Sequence, residues 1–450
     1  MKHAAEAALV GANIEPATGR LRIRYRVDGF EHVVHAIYHD APRLPIEVWD
    51  ACIQELALAC LVDISTATMA AKTTSCFPVS RRARRVFVTA AEALRFEALA
   101  ERGADVRYSR VMLGGFGSDR PLQTPRTDPR RVLLLMGGGK DSLYSYSLLR
   151  RAGYRVQCFY LTEARRSWQQ LRKVYRALSA EVSQHRAFLD VNRRSVLDQH
   201  YGGLYLSQFQ IGEVVAASLP YAFAHACRYI ALGLERSSDL PMYYFRRKPV
   251  NHQHQKSSGF IASLNDYLSW KFRGAVRVVS PVHGLYDMGI YARFLRTDRN
   301  LVRLQSSCGG ANSSRPHCGR CAKCAFLAAL LAGLSGDRAL YSELFPVDPL
   351  NDPALYQNWL EEGVPRPLTC AGLKEEVRLA LHLARSRAWP SGVVQRWAVE
   401  PPPDPARLVR EMASFLASCP TPLLTGAMTK RLKPLLQPSG FDELSAVLRR

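Results

Sequence analysis

Gly137-Gly138-Gly139-Lys140-Asp141-Ser142 is the stretch of this chain whose residue types most directly imply chemistry. Three successive glycines permit positive φ and close backbone approach, so several N–H groups can turn toward one anion. A helix starting directly after them adds the positive end of its dipole. Lys140 supplies a point charge and Ser142 a hydroxyl donor. Asp141 has the wrong sign for a phosphate site unless it holds Mg²⁺ beside phosphate oxygens or orients the loop. The string does not follow the Walker A pattern. A second constellation is Cys308, Cys318, Cys321 and Cys324, spaced C-x9-C-x2-C-x2-C. Two short loops and one longer return bring four thiolates to the corners of a tetrahedron, the geometry of a closed structural Zn²⁺ site. The polar, turn-rich segment 309–317 can wrap, and Gly319 and Lys323 suit a knuckle in which N–H groups and positive charge stabilise thiolates. The remaining seven cysteines, Cys52, Cys60, Cys76, Cys158, Cys227, Cys370 and Cys419, are scattered. That pattern excludes a secreted disulfide framework and fits a cytosolic metal site.

Both constellations need a scaffold. Arg131–Met136 is a short apolar run of buried-strand type, Gly137–Gly139 a tight turn, and Ser142–Ala152 a helix with Leu143, Tyr146 and Leu149 at helical spacing. Arg155–Leu161 is a second strand, which completes a βαβ unit and begins a parallel sheet. Further strands are expected over Ala187–Val191, Tyr229–Leu234 and Val276–Val279, with a helix over Gln208–Ala226 kinked at Pro220. Upstream, Leu21, Ile23, Tyr25 and Val27 alternate with arginines, Asp28-Gly29 makes a hairpin turn, and Phe30–Ile37 returns. Pro45–Val62 is expected to be helical, with Val48, Cys52, Leu56 and Ala59 on one face. Pro121, Pro125 and Pro129 mark Arg120–Arg130 as a linker. Downstream, Ala325–Leu334 is expected as a buried helix, followed by short helices over 340–400, a break at Pro401–Pro405, and helices over Ala406–Leu416 and Phe441–Leu448. The expectation is an α/β fold in three parts. Residues 1–125 form a small N-terminal α+β domain. Residues 126–338 carry a parallel sheet with helices on both faces and both constellations. Residues 339–450 form a helical C-terminal region.

Composition narrows the class. The 450 residues are 47% hydrophobic and 22% charged, as in ordinary globular proteins. No apolar run reaches the ~18–20 residues of a membrane span, and Met1–Val10 lacks a signal-peptide core, so a cytoplasmic protein is expected. The net charge of +22 arises from 61 basic and 39 acidic residues, and only 11 of the basic residues are Lys. The excess is dispersed, densest at Arg81-Arg82-Ala83-Arg84-Arg85, and it suits a small multiply anionic substrate. No RNA-binding signature accompanies it, so nucleic acid is not the expected partner. Nothing in the sequence indicates an oligomeric state.

The glycine loop resembles the Ser-Gly-Gly-x-Asp-Ser signature of the PP-loop ATP pyrophosphatases, with Gly137 in place of the first Ser. That resemblance implies an adenine nucleotide alpha hydrolase-like sheet and ATP held by Gly137, Gly138, Gly139, Lys140, Asp141 and Ser142. It further implies attack at the α-phosphate with release of AMP and pyrophosphate. The cysteine spacing resembles the zinc site of the 7-cyano-7-deazaguanine synthases, over roughly residues 131–335. A longer resemblance is to the UDP-N-acetylmuramoyl-L-alanyl-L-glutamate epimerase family. It rests on Val250-Asn-His-Gln-His-Gln-Lys-Ser257, Gly233-Leu-Glu235-Arg-Ser237, Ser280-Pro281, Cys318-Gly-Arg-Cys-Ala-Lys-Cys-Ala-Phe326 and Thr369-Cys-Ala-Gly372 with the Leu-Lys-Glu-Glu376 that follows, and on the Pro16–Gly19 hairpin. The chain departs from that family at Val282-His283-Gly284, at Ile64–Lys72, where an aromatic element is missing, and at Thr369, where the family carries an acid.

The resemblance implies adenylation of a terminal glutamate α-carboxylate and then inversion at Cα. Inversion needs proton-transfer groups on opposite faces of that carbon. His252, His254, Lys256 and Glu235 are the candidates, with His283 behind them. The expected cofactors are ATP, Mg²⁺ and structural Zn²⁺, and the expected partner is an anionic UDP-linked muramoyl dipeptide. The alternative is an ATP-dependent ligase or amidating enzyme of the deazaguanine-synthase type, acting on a nucleobase or a polypeptide end.

Overall fold

A computed structural model describes residues 4–102, 112–114, 120–162, 165–190, 210–306, 308, 316–361, 372–397, 404–437 and 440–449. The expectations for Gln208, for the 309–315 segment and for Thr369–Ala371 fall outside the described residues. The strands in chain order are β1 (Glu6–Glu15), β2 (Arg20–Val27), β3 (Phe30–His39), β4 (Lys72–Ser75), β5 (Met112–Gly114), β6 (Asp128–Leu135), β7 (Arg155–Thr162), β8 (Gln184–Leu189), β9 (Cys227–Ala231), β10 (Tyr243–Phe245), β11 (Lys248–Val250) and β12 (Arg277–Val279). All but β10 and β11 form one sheet of order β12-β9-β6-β7-β8-β3-β2-β1-β4-β5; β10 and β11 make a separate ribbon. Pairing is parallel from β12 through β8, antiparallel through β3, β2 and β1, and parallel again to β4 and β5.

The longer helices are α1 (Ile46–Ala67), α2 (Arg81–Arg102), α3 (Lys140–Arg151), α4 (Arg165–Leu178), α5 (Gln210–Ala224), α6 (Ser258–Lys271), α7 (Asp287–Thr297), α8 (Ala322–Ser335), α9 (Lys374–Ser386), α10 (Pro405–Leu416) and α11 (Phe441–Leu448). They cover both faces of the sheet. In β6, Val132 and Leu134 point into one core and Leu133 and Leu135 into another, as the two-residue side-chain period requires. The first core takes α3, α4, α7 and α8 together with the C-terminal helices α9, α10 and α11. The second takes α1, α2, α5 and α6.

Three differences from the sequence reading have physical causes. The strands of residues 1–125 do not form a sheet of their own, because β3 pairs antiparallel with β8 from Ala36↔Leu189 to His39↔Arg186 and carries the parallel sheet onward. Helix α1 runs to Ala67 and is buried all round rather than on one stripe, because it lies between the sheet, α2 and α5. Strand β1 was not anticipated. Its Ala7, Ala8, Gly11 and Ala12 are poor strand formers, and the pairing with β2 and β4 decides its state. The basic block 81–85 is the first turn of α2, mostly exposed, with Ala83 alone turned inward. Among the described residues no helix is long and apolar enough to cross a membrane.

Candidate functional site

The strand order sets where a ligand fits. From β6 the chain moves to β7 on one side and later returns to β9 on the other. Such a switch point leaves a crevice beyond the carboxyl ends of the strands. A cavity of about 400 Å³ lies there, lined by Leu135–Gly137 and Gly139–Ser142 after β6, Phe159 and Leu161 of β7, and Leu232–Leu234 after β9. Leu171, Gln210, Ile211, Val214, Lys256, Asp287, Lys323, Phe326 and Leu327 complete it. Gly138 has φ +73°, and its carbonyl accepts from the Ser306 N–H at 2.8 Å. Gly139 precedes the first turn of α3, so no side chain obstructs the helix amides. At Gly233 a Cβ would lie 2.6 Å from the Asp141 carbonyl carbon and 2.8 Å from the Ser142 nitrogen. The exit of β9 therefore abuts the glycine loop, which only glycine allows.

A charged network floors the cavity. Lys140 Nζ donates to Asp141 Oδ1 and to Asp287 Oδ1, each at 2.5 Å, and Ser237 Oγ donates to Asp287 Oδ2 at 2.9 Å. Burial alone would lower the Lys140 ammonium, but Asp141, Asp287 and Glu235 outweigh it and hold it above its ordinary value. Burial raises the carboxyls of Asp141 and Glu235, opposed by Lys140 and Lys256 respectively, with Asp287 reinforcing both. Behind Asp287 stands Glu376, fully buried, which accepts from the Met288 N–H at 2.7 Å and the Leu373 N–H at 2.9 Å. Burial and the Asp287 charge push Glu376 up to about 8. Asp287 and Glu376 were not singled out as site residues by the sequence, and Lys323, expected at the cysteine knuckle, lines the cavity instead. Asp287 lies far along the chain from the loop, with no motif around it, whereas Glu376 sits at the end of a quoted segment.

The four catalytic candidates are not brought to one place. Lys256 lines the cavity, and Glu235, 2% exposed, shares the charged network. His252 pairs through Nδ1 with Glu97 on α2, and His254 packs its ring 6.1 Å from Phe260, where burial lowers its pKa. Neither is among the lining residues. His283 bonds Thr421 at 2.8 Å and meets Asp239 at 3.2 Å. Three other residues of the 250–257 motif are architectural: Asn251 Nδ2 donates to the Ser238 carbonyl at 2.8 Å, Gln255 Oε1 accepts from the Ile211 N–H at the start of α5, and Ser257 caps α6. Ser280 Oγ accepts from the Leu234 N–H at 3.1 Å and donates to its carbonyl at 2.8 Å, which fixes the β9 exit.

The four cysteines do converge. The sulfurs of Cys308, Cys318, Cys321 and Cys324 all lie within 4.8 Å of one another, with Cys318–Cys324 at 3.7 Å and Cys321–Cys324 at 3.5 Å. A tetrahedron with ~2.3 Å Zn–S bonds has edges of ~3.8 Å, so the spacing fits that ion. Backbone N–H groups of Cys318, Gly319 and Arg320 point at sulfurs, as a thiolate knuckle requires. Gly319 has φ +70°, and a Cβ there would sit 2.2 Å from the Val347 carbonyl oxygen. Cys321 is the residue preceding α8, and the first turns of α8 carry Lys323, Phe326 and Leu327 into the cavity wall. The knuckle thus sets one wall of the cavity.

Residues 2–280 match the family model described as the MurL N-terminal domain, and residues 306–409 match the MurL C-terminal domain. The UDP-N-acetyl-alpha-D-muramoyl-L-alanyl-L-glutamate epimerase of Xanthomonas oryzae pv. oryzae (strain MAFF 311018) is 26% identical over 294 residues. That match covers 61% of this chain and 62% of the relative, under two thirds of its length. With both family models matched in order along most of its length, the chain belongs to the MurL family.

Proposed function

We propose that this chain is a cytoplasmic, ATP-dependent, AMP-forming epimerase with a PP-loop fold, acting on the terminal L-glutamate of UDP-N-acetylmuramoyl-L-alanyl-L-glutamate. The observation that carries this reading is the convergence of the glycine loop, three lysines and buried carboxylates at the switch-point crevice, in a chain of the MurL family. Apolar walls from Leu135, Phe159, Ile211 and Phe326 receive the adenine. The loop amides and the start of α3 receive the β- and γ-phosphates, with Lys140, Lys256 and Lys323 as countercharges. Asp141, the partly exposed carboxylate of the loop, would hold Mg²⁺ together with phosphate oxygens, and the ion would neutralise charge on the departing pyrophosphate. The cysteine knuckle would hold Zn²⁺ in a structural role.

The substrate α-carboxylate attacks the α-phosphate and pyrophosphate leaves, forming an acyl-adenylate. Its carbonyl, no longer part of an anion, acidifies the neighbouring Cα–H. Glu235 and Lys256, one with a carboxyl raised by burial and the other in the cavity wall, take the proton from one face and return one to the other. Water then cleaves the mixed anhydride to AMP and the inverted carboxylate. His252 and His254 support the 250–257 segment that presents Lys256. The test is incubation with ATP, Mg²⁺ and the UDP-linked dipeptide in D₂O. AMP, pyrophosphate and D-glutamate carrying deuterium at Cα are expected. Release of ADP and phosphate, or capture of an added amine with the glutamate unchanged, would overturn the reading, the latter in favour of a ligase.

A further inference from the structure

His317 stands immediately before the cysteine knuckle and is 1% exposed. Its ring stacks on Phe345, with centroids 4.9 Å apart and planes at 28°. Among the described residues neither Nδ1 nor Nε2 has an oxygen or nitrogen partner. A polar group buried in that state is destabilising, and Phe at this position would keep the stack without the cost. The backbone sets the ring beside a sulfur instead. The Cys318 N–H donates to Cys308 Sγ at 3.2 Å. That nitrogen is bonded to the His317 carbonyl carbon, so the His317 main chain passes within about 4.5 Å of the sulfur. Cys321 and then Cys324 hold the Cys308 thiol below its ordinary value, against burial, and the His317 ring at its side adds to them.

The ring is not needed as a ligand. Four sulfurs within 4.8 Å of one another already supply the four corners that a structural Zn²⁺ takes. What four thiolates around a dication need is charge balance. They leave two negative charges, here on a centre whose Cys308 and Cys324 are buried, and buried charge requires hydrogen-bond donors. Cys324 receives the Gly319 N–H and Cys318 the Arg320 N–H. Cys308 receives the Cys318 N–H. It is also the sulfur that the chain holds least closely, ten positions before Cys318, whereas Cys321 and Cys324 are three apart. Resting on the zinc reading of the knuckle above, we infer that His317 is a positioning residue of the metal centre. One ring N–H donates to the Cys308 thiolate, and the stack on Phe345 holds the ring in place for it. A hydrogen bond of this kind, one layer outside the ligands, orients the ligand and raises the affinity for the ion.

The test uses the full chain and the metal alone, with Zn²⁺ affinity measured by competition against a chromophoric chelator. His317→Phe keeps a ring on Phe345 and removes the N–H, so affinity is expected to fall roughly 10–100-fold. His317→Asn and His317→Gln carry an amide N–H near the positions of Nδ1 and Nε2, and one of the two is expected to recover most of that loss. Co²⁺ in place of Zn²⁺ adds a signature that packing alone would not move. Wild type is expected to show the charge-transfer absorption of four thiolates. In His317→Phe that band should keep its intensity and move to longer wavelength, because a sulfur that loses an N–H donor gives up its electrons more easily. Unchanged affinity and band position in His317→Phe, or an equal loss in all three variants, would overturn the inference and leave the zinc reading standing. Absorption of only three thiolates in wild type would overturn it as well, by placing the ring on the metal itself. Wild-type protein that binds neither ion refutes the zinc reading and this inference together.

Discussion

Lys140 lies at the balance point of the site, between Asp141 and Asp287 with Glu235 close by. Lys140→Met removes the ammonium between Asp141 and Asp287 and leaves the carboxylates facing one another. Loss of ATP-dependent pyrophosphate release is expected, with a lowered Tm at neutral pH that recovers as acid protonates the carboxylates. A Tm deficit independent of pH would contradict this account. Glu376 makes a second pH prediction. Its carboxyl is raised from 4.5 to about 8 by burial and by Asp287, so the folded state holds the proton more tightly than the unfolded chain. Its contribution favours folding below 4.5 and is lost as pH rises through 8. Thermal melts across that window should fall with pH in wild type and fall less steeply in Glu376→Gln. His252 offers a contrast: it is held by Glu97 outside the cavity lining. His252→Ala is expected to cost about 1 kcal/mol of stability, the net worth of one hydrogen bond, and to retain pyrophosphate release. Lys256→Ala is expected to stop turnover in a protein that still melts cooperatively.

At the scale of elements, the cysteine knuckle and α8 act together. Cys321 stands at the head of the helix and Lys323, Phe326 and Leu327 follow within its first turns. Elemental analysis should find about one Zn per chain, and chelation should lower the Tm and weaken ATP binding together, because the wall that α8 supplies loses its anchor. Cys321→Ser should do the same. Chelation that leaves ATP affinity unchanged would show that α8 is positioned by core packing alone. The β9 exit is a second lever. Gly233→Ala forces a Cβ to within 3 Å of the Asp141 and Ser142 backbone, so it should abolish ATP binding while sparing the core strands. Circular dichroism against nucleotide titration separates those effects.

Over the whole molecule, the chain behaves as interlocked layers. The core on one face of β6 draws on α1 and α2 as well as α5 and α6, and the other face draws on α9, α10 and α11 as well as α3 and α8. A Cβ on Gly333 of α8 would strike the Ala380 carbonyl oxygen of α9 at 2.3 Å, so those helices pack backbone to backbone. A fragment of residues 126–338 would carry the loop and the cysteines but expose both apolar faces and the β8 edge. It is expected to aggregate or to lack a cooperative melt. A soluble fragment with a sharp transition would show that this segment is an autonomous domain.

The glycine turn before α3 and the convergence of the four cysteines were legible in the sequence because each is local. Positive φ, helix-start amides and thiolate spacing are properties of a few adjacent residues, and no distant partner is needed to infer them. The strands flanking the loop were legible for the same reason, from apolar runs whose period sets their faces. The partners were not legible. Asp287 reaches Lys140 across 147 positions and Glu97 reaches His252 across 155, and no periodicity encodes which carboxylate meets which cation. Three basic side chains in five positions from 252 to 256 suggested one catalytic cluster. The backbone turned Lys256 into the cavity and set the two histidines against α2 and α6, because the direction of each side chain depends on the elements packed around that turn. Likewise nothing within β8 states that its free edge takes β3, so joining the N-terminal strands to the parallel sheet was decided only by tertiary structure, where an unpaired strand edge must find a partner.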